Sequence, residues 1–321
     1  MEQQTERKKK SVTLIVPAFN EEESLRPFYE QTLMTIDQLE DYDFELLFIN
    51  DGSTDATQEI LKELSAKDKR VAYVSLSRNF GKEAAMLAGF DHARGDCTIV
   101  MDADLQHPPH VITEMLEQWE LGYNDVYARR RTRGKESWLR RRLTMLFYRI
   151  LALSSRYDVL QNVGDFRLLD RKCINALREL RETERYTKGL YSWIGFRKKE
   201  ILFNQEERRY GKSHWSLLQL SGLAIEGFVS FSTAPLRLAT VMGMLTGLGA
   251  FVYLIYTFVK AIAYGDPVAG YPTIICVMLF LGSVQLICIG IIGEYLGHVF
   301  CETKNRPNYL VEEYFKNGME S

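Results

Sequence analysis

The sequence has few residues of the kind that build disulfide or zinc frameworks. It contains only five cysteines in 321 residues, and no two of them show C-x-x-C spacing. This pattern argues against a disulfide framework or a zinc site and favours free thiols in apolar surroundings. A G-x-x-x-x-G-K-[ST] loop is also missing, which disfavours phosphoryl transfer from ATP by a P-loop. The net charge is only −2, so the whole chain has no general attraction for polyanions.

The N-terminus lacks the apolar core of a signal peptide. Residues 1–10 are basic, and the apolar stretch that follows them is short and ends at Pro17. No small-residue cleavage site accompanies this stretch. We therefore interpret residues 1–10 as a flexible basic start on the cytosolic side.

The second half of the chain contains two long runs without a formal charge. They cover Leu238–Val259, which is 22 residues, and Pro267–Gly293, which is 27 residues. A helix needs about 20 apolar residues to cross a bilayer core, so the sequence predicts a two-helix transmembrane hairpin over residues 235–300. Basic residues stand at its two outer ends: Arg237, Lys304 and Arg306. The positive-inside rule then places both termini in the cytoplasm.

In the first half, short apolar runs rich in β-branched residues alternate with helical patterns. Strands are predicted at Ser11–Pro17, Phe44–Asn50, Val71–Ser75 and Asp96–Met101. Helical patterns lie between them at Glu21–Leu39, Ala56–Ala66 and Lys82–Arg94. This alternation predicts an α/β fold with a mostly parallel, Rossmann-like sheet and helices on both of its faces. In such sheets, ligands bind beyond the carboxyl ends of the strands.

Polar motifs follow three of these four strands. They are Pro17-Ala18-Phe19-Asn20-Glu21-Glu22, Asn50-Asp51-Gly52-Ser53-Thr54-Asp55 and Asp102-Ala103-Asp104-Leu105-Gln106-His107. Each motif alone is typical of a helix cap or a turn. Three of them at equivalent strand ends favour one shared ligand site.

The pair Asp102 and Asp104 has the most specific chemistry. Two carboxylates two residues apart at a strand exit can point into one cleft, where, left unpaired, they repel and one takes up a proton. A divalent cation removes this conflict, and Mg²⁺ or Mn²⁺ prefers oxygen ligands and bridges phosphate oxygens. The pair therefore indicates a nucleoside diphosphate ligand whose leaving charge the metal offsets.

Residues 129–149 form a basic segment with interleaved apolar residues. They include nine Lys and Arg residues against one acidic residue, with Trp138 among the apolar ones. This composition suits the surface of an anionic membrane, so we expect an interface helix over about 135–155. A solvated charged helix is the main alternative, whereas the acidic cleft and the membrane runs argue against nucleic-acid binding. A second amphipathic run, over 213–234, leads into the first predicted span.

Together these motifs resemble the family 2 glycosyltransferases with the GT-A fold. Two further segments extend the likeness: Gly164-Asp165-Phe166-Arg167-Leu168 and Arg208-Arg209-Tyr210-Gly211-Lys212-Ser213-His214-Trp215. With the C-terminal hairpin, they resemble the polyisoprenyl-phosphate glycosyltransferases, which include bactoprenol glucosyltransferases and dolichol-phosphate mannose synthase. The resemblance covers about residues 11–310. It implies a GT-A catalytic domain over 11–212 and leaves 301–321 as a cytoplasmic tail.

The resemblance also implies roles for single residues. Donor binding would fall to Pro17, Asn20, Glu22, Asp51, Asp102 and Asp104. The metal, Mg²⁺ or Mn²⁺, would be held by Asp104 and Gln106. The acceptor phosphate would meet Arg129, Arg208 and Ser213. Catalysis would rest on Asp102, Asp104, Asp165 and Arg208, with Asp165 acting as a base or ordering the acceptor.

The implied reaction is an inverting transfer of a sugar from UDP-glucose or UDP-N-acetylglucosamine to undecaprenyl phosphate, for modification of cell-envelope glycans. The enzyme would be a multi-pass protein of the inner, cytoplasmic membrane. Its partners would be a nucleotide sugar, a polyprenyl phosphate, the membrane and, as a homotetramer, copies of itself, but no nucleic acid. Transfer of mannose or modified arabinose, processive polysaccharide synthesis and a non-catalytic nucleotide-sugar sensor are the alternatives. The lack of a Gln-x-x-Arg-Trp motif favours single transfer over processive synthesis.

Overall fold

The computed structural model describes residues 9–131, 163–183, 185–204, 234–264 and 270–316. They form two units: the first combines the described residues up to 204 with 307–316, and the second holds those from 234 to 306. The interface helix expected at 135–155 lies outside the described residues, as does nearly all of the run at 213–234. Arg208 and Ser213 also lie outside them.

A mixed sheet forms the centre of the first unit. Its strands are β1 Lys10–Ala18, β2 Tyr42–Asn50, β3 Val71–Leu76, β4 Cys97–Val100, β5 Asp125–Arg130, β6 Val163–Asp170, β7 Lys198–Phe203 and β8 Val311–Phe315. They lie side by side in the order β7-β5-β6-β4-β1-β2-β3-β8. The neighbours β1–β2, β1–β4, β2–β3 and β5–β7 are parallel, whereas β6 and β8 are antiparallel to their partners. The predicted α/β fold with a mostly parallel sheet is confirmed.

Helices cover both faces of this sheet. They are α1 Leu25–Ile36, α2 Thr57–Lys67, α3 Lys82–His92, α4 Val111–Glu120, α5 Arg171–Glu179 and α6 Thr187–Trp193. Residues 12–16 of β1 are all buried, because this strand lies in the middle of the sheet. On one face, Gly89 of α3 lies so close to Ile15 that an added Cβ would stand 2.5 Å from the isoleucine side chain. On the other face, Phe28 of α1 makes an edge-to-face contact with Phe48 of β2. Burial on both faces explains why the strands are continuous apolar runs rather than alternating patterns.

The second unit consists of two long helices. They are α7 Ala234–Tyr264 and α8 Tyr271–Thr303. Within α8, Phe280–Thr303 is long and apolar enough to cross a membrane, with a hydropathy of 1.6, whereas the apolar stretch of α7, Ala239–Tyr253, is shorter. The sulfur of Cys288 in α8 lies 3.5 Å from the carbonyl oxygen of Ala239 in α7. The two helices therefore touch, but the transmembrane hairpin itself stays a prediction.

Strand β8 corrects the interpretation of residues 301–321 as a tail. It pairs antiparallel with β3, and the ring of Phe315 stacks on that of Tyr73 with centroids 5.6 Å apart. The Tyr73 hydroxyl donates to a carboxylate oxygen of Glu313 at 2.6 Å, across 240 residues of sequence. The sequence does not signal this strand, since it is only five residues long and carries two acidic side chains.

Candidate active site

The strand topology brings the polar motifs to one edge of the sheet. β1, β2 and β4 are parallel, so the residues that follow them meet at their carboxyl ends. β6 runs the other way, with Arg167 opposite Val100 of β4, and therefore begins at this same edge. A cavity of about 320 Å³ lies there. Its lining includes Pro17, Phe19, Glu21, Asp51, Lys82, Asp102 and Asp104.

A lysine joins the first aspartate of the pair to a third aspartate. The Lys82 ammonium, at the first residue of α3, lies 2.6 Å from Oδ1 of Asp102 and 3.1 Å from Oδ2 of Asp165. Burial raises the pKa of the Asp102 carboxyl, but the charge and hydrogen bond of Lys82 outweigh it and bring that pKa to about 2. For Lys82, burial lowers the pKa, and the two carboxylates raise it further than burial lowers it. Asp102 and Lys82 therefore form an ionised pair, and the same ammonium also contacts Asp165.

Asp165 contributes the most enclosed carboxylate of this cluster. The residue is 7 % exposed, and its Oδ1 atom has no hydrogen-bond partner among the described residues. A buried carboxylate oxygen without a donor is costly unless a partner arrives. Oδ1 itself is buried and Asp165 does not line the cavity, so its expected role near the acceptor and the sugar stays a prediction.

Asp104 lies in a tight turn after β4. It is 8 % exposed, and its Oδ1 accepts the main-chain N–H of Gln106 at 3.2 Å. Between them, Leu105 has a φ of 61°, a left-handed conformation that is uncommon for a bulky residue. Its side chain is nonetheless buried, so core packing stabilises the turn. The turn holds the Asp104 carboxylate at the wall of the cavity, whereas the side chain of Gln106 is not part of that wall.

The same turn is closed by a histidine that the motif analysis did not single out. The main-chain N–H of Asp102 donates to Nδ1 of His107 at 3.2 Å. The imidazole stacks on Phe166 with ring centroids 4.7 Å apart. Burial lowers the pKa of His107, which keeps Nδ1 free to accept that hydrogen bond. His107 thus connects the turn after β4 to β6, the strand that carries Asp165.

Among the described residues, no group of three or more His, Cys, Asp or Glu side chains is arranged to hold a metal. The donor set at the cavity is smaller, namely Asp104 with Asp102 beside it. Mg²⁺ and Mn²⁺ accept such sets, because they commonly bind one or two carboxylates and take their other ligands from phosphates and water. The residues present therefore fit a divalent cation that shares its ligands with a bound diphosphate.

Asp51 lines the cavity but is occupied by main-chain donors. Its two carboxylate oxygens accept the N–H groups of Phe80 and Gly81 at 2.7 and 2.9 Å. Burial raises the pKa of Asp51, and these hydrogen bonds oppose the rise. The next residue, Gly52, has a φ of 65°, and an added Cβ would lie 2.3 Å from the backbone of Arg78. Asp51 therefore fixes the loop that leads into Lys82, in addition to any contact with a ligand.

Asn20 and Glu22 lie beside the cavity rather than in its wall. The N–H of Asn20 donates to Ser53 Oγ at 3.0 Å, and Oδ1 of Asn20 accepts the N–H of Thr54 at 2.8 Å. Glu22 accepts the N–H of Ala56 at 3.0 Å, just before α2. Both side chains therefore tie the loop after β1 to the loop after β2, a role that the sequence did not separate from ligand binding.

Arg129 lies near the carboxyl end of β5, at the same edge of the sheet. Its guanidinium pairs with Glu200 of the neighbouring strand β7 at 2.9 Å, and the side chain is 42 % exposed. It does not line the cavity. Its expected role at the acceptor phosphate stays a prediction, as do the roles of Arg208 and Ser213 outside the described residues.

Lys82 is the main site residue that the sequence reasoning missed. A signal for it exists: a lysine at the first residue of a helix stands at the positive end of the helix dipole, an unfavourable place for a cation. Such a position indicates nearby carboxylates. The sequence could not show which carboxylates they are, because Asp102 and Asp165 come from strands that meet only in the folded sheet.

Comparison with known proteins gives matches over almost the whole chain. Residues 13–178 match the family described as Glycosyl transferase family 2, and residues 234–299 match the GtrB C-terminal hairpin. CsbB of Bacillus subtilis (strain 168), named only as a glycosyltransferase, is 45% identical over 94% of this chain and 91% of its own. The bactoprenol glucosyl transferase of Shigella phage SfII is 41% identical over 94% of this chain and 97% of its own.

Solved structures show a more distant likeness. Glucosyl-3-phosphoglycerate synthase from Mycobacterium tuberculosis, in complex with Mn²⁺, UDP-glucose and phosphoglyceric acid, is 18% identical. The similarity covers 68% of this chain and 78% of that one, with a TM-score of 0.49.

Proposed function

The chain belongs to glycosyl transferase family 2, as its motifs indicated, and from this we propose that it transfers glucose from UDP-glucose to a polyprenyl phosphate. The protein is a glycosyltransferase. The lipid acceptor and the sugar are inferred from the phage relative, whose name gives bactoprenol, a polyprenol, and glucose.

One observation supports this function above the others. Asp51, Asp102 and Asp104, from two separate motifs, line a single cavity at the carboxyl ends of parallel strands. Carboxylates gathered at such an edge suit a metal-bound diphosphate, the charged part of a nucleotide sugar. A sensor without catalysis has no need of Asp165, which Lys82 links to Asp102.

The donor is proposed to lie along the wall formed by Pro17, Asp51 and the Asp102–Asp104 turn. Pro17 presents an apolar surface, while Asp51 holds the Phe80–Gly81 loop against the pocket. Asn20 and Glu22 act on the donor indirectly, through the two loops that they join. Asp104 and, by resemblance, Gln106 would hold the divalent cation. When bound, the cation offsets the charge of the departing diphosphate.

The reaction itself exchanges one bond to the anomeric carbon for another. A phosphate oxygen of the lipid forms the new carbon–oxygen bond, and the bond to the β-phosphate of UDP breaks as UDP leaves with the electron pair. Direct attack from the opposite side inverts the anomeric configuration. The lipid phosphate is already an anion, so the protein has little need of a general base. Asp165 is proposed to orient the reacting groups through its contact with Lys82 rather than to remove a proton.

Because the proposed acceptor is a lipid, the reaction should take place at a membrane surface. Support comes from the apolar stretch Phe280–Thr303 and from the match to the GtrB C-terminal hairpin over residues 234–299. We propose a two-span anchor with the catalytic unit on the cytoplasmic side, where UDP-sugars are found. The tetramer stays a prediction drawn from the resemblance.

The test is a transfer assay with the full-length protein in detergent or native membranes. UDP-glucose labelled in the sugar, undecaprenyl phosphate and Mg²⁺ or Mn²⁺ are mixed, and label in the extracted lipid is measured. We expect label that depends on the protein, the lipid phosphate and the metal. Omission of the lipid phosphate provides one control, and an Asp104→Asn variant provides a matched protein control.

A parallel assay with several nucleotide sugars identifies the sugar that is transferred. UDP-N-acetylglucosamine, GDP-mannose and UDP-linked modified arabinose are tested in parallel with UDP-glucose. Label from one of these donors alone would replace glucose in the proposal while preserving the reaction class. No labelled lipid from any donor, with a folded protein that binds UDP, would favour the nucleotide-sugar sensor.

A further inference from the structure

We propose that Lys82 is a built-in counter-cation that occupies the site between Asp102 and Asp165 and so confines the divalent cation to Asp104. The inference deepens the proposed function and rests on its metal-dependent donor site. It assigns to Lys82 a positioning role, since the ammonium acts through carboxylates.

The geometry leaves little room for another cation between these two aspartates. The ammonium of Lys82 contacts both carboxylates, at 2.6 and 3.1 Å. The two carboxylate oxygens therefore face the same ammonium. Asp102 follows β4 and Asp165 lies in β6, and their approach is imposed by the register of these two strands. Without Lys82, the fold would present two unneutralised carboxylates to the cleft.

Such a pair would attract a divalent cation. Carboxylate oxygens are the ligands that Mg²⁺ and Mn²⁺ prefer, and like charges held together in a partly enclosed site favour any ion that neutralises them. A metal bound there would compete with binding at Asp104. The lysine opposes this, because its tethered ammonium is always present beside the two carboxylates, whereas a metal ion must compete with it from solution.

The position of Lys82 in its helix indicates that the lysine is held by these contacts. It is the first residue of α3, where the helix dipole disfavours a cation. The preceding residue, Gly81, has a φ of 95°, a conformation that favours glycine. Its N–H is fixed by Asp51 at 2.9 Å. Asp51 and the glycine thus set the point from which the lysine side chain reaches the two carboxylates.

The charges of the cleft are then divided in two. Lys82 contacts Asp102 and Asp165, whereas Asp104, in the turn after β4, is proposed to bind the cation that arrives with the nucleotide. This division predicts that metal binding depends on the nucleotide in the natural protein, and that loss of the lysine removes this dependence.

The experiment measures Mn²⁺ binding rather than activity. The full-length protein in detergent is titrated with Mn²⁺, and the free ion is followed by electron paramagnetic resonance, with and without UDP. Lys82→Met keeps the length of the side chain and removes its charge, whereas Lys82→Arg keeps a charge and is the matched control. Without UDP, we expect Lys82→Met to bind Mn²⁺ about tenfold more tightly than the natural protein, since a competing cation has gone. Lys82→Arg should bind Mn²⁺ like the natural protein.

A second substitution identifies the ligands of the gained ion. Asp165→Asn, added to Lys82→Met, should abolish the gain. Lys82→Gln serves in place of Lys82→Met if the methionine variant does not fold by circular dichroism. Unchanged or weaker Mn²⁺ binding in a folded, uncharged variant would overturn the proposal. Loss of UDP affinity without any gain in Mn²⁺ affinity would overturn it too, because Lys82 would then be a ligand of the diphosphate.

The outcome can be separated from that of the proposed function. A gain of Mn²⁺ binding in Lys82→Met stands even if no sugar reaches the lipid in the transfer assay. Conversely, lipid glucosylation by the natural protein combined with unchanged Mn²⁺ binding in the variant would retain the function and remove the counter-cation.

Discussion

The two sides of the cleft use similar polar residues in different ways. On the side of β1 and β2, Asn20, Glu22 and Asp51 all accept main-chain N–H groups from neighbouring loops. On the side of β4 and β6, the carboxylates of Asp102 and Asp165 share one ammonium, and Oδ1 of Asp165 has no hydrogen-bond partner among the described residues. The first side is held by hydrogen bonds within the protein, whereas the second has charge left for a ligand.

The contrast between the two sides shows that a polar motif at a strand end can either stabilise the loops or provide charge for ligand binding. Backbone donors fix a carboxylate and shape the loop around it, whereas a carboxylate balanced by a side-chain cation responds to whatever charge enters the cleft. Substitutions on the β4–β6 side should therefore lower activity with little loss of stability. Substitutions on the β1–β2 side should do the reverse.

The largest effect is expected at Asp104. Asp104→Asn keeps the shape of the side chain but removes the charge proposed to hold the metal, so glucosyl transfer should fall about 100-fold or more. Its main-chain partner, the N–H of Gln106, can still donate to the amide oxygen. The free energy of unfolding in urea should therefore change by less than about 1 kcal/mol. Substantial activity in a folded Asp104→Asn enzyme would exclude Asp104 as the metal ligand.

A smaller effect on activity is expected at Asp165. Asp165→Asn removes one of the two charges that face Lys82, and the position of the ammonium and of the reacting groups should relax. Loss of such an orienting partner typically costs about 10- to 100-fold, and we expect the loss mainly in kcat, measured at saturating donor and lipid. Asp91→Asn is a suitable control, because Asp91 forms an ion pair with Arg181 outside the lining of the cavity. Equal losses in the two variants would mean that Asp165 is merely structural.

The smallest effect on activity is expected at Glu22. Glu22→Ala removes the acceptor for the N–H of Ala56 before α2, so the protein should lose about 1 kcal/mol of stability, as for other helix caps. Transfer activity below the unfolding temperature should fall less than about threefold. Glu22→Gln, which retains an acceptor oxygen, should recover most of the stability. A large rise in KM for the donor in a stable Glu22→Gln protein would contradict the structural role of Glu22, since Glu22 would then contact the nucleotide.

The features that depend on a local residue pattern could be predicted from the sequence. The first four strands are apolar runs buried on both faces, and the turn at Asp102–Ala103–Asp104 follows one of them directly. These features need no knowledge of distant contacts. The carboxyl ends of parallel strands lie at the same edge of a sheet. The fold class therefore predicted that Asp51 and Asp104 line one cavity.

The remaining features depend on register and on side-chain direction. Asp165 reaches Asp102 only because β6 is antiparallel to β4 with Arg167 opposite Val100. Lys82 joins them from a helix that follows a different strand. Glu22 accepts the N–H of Ala56 instead of lining the cavity, in a loop where Asn20 has a φ of 54°. No pattern in the sequence indicates the positions of these three side chains.

Strand β8 has a consequence for the order in which the protein is made. The ribosome synthesises β1 to β7 first, then both long helices, and only afterwards Val311–Phe315. Until that moment β3 is an uncovered sheet edge, with Tyr73 lacking the ring of Phe315 and the carboxylate of Glu313. Open edges of this kind pair with other chains and promote aggregation during synthesis. The catalytic sheet is therefore completed only after the apolar helices have been synthesised. A nascent chain stalled within α8 lacks the last strand of its catalytic domain.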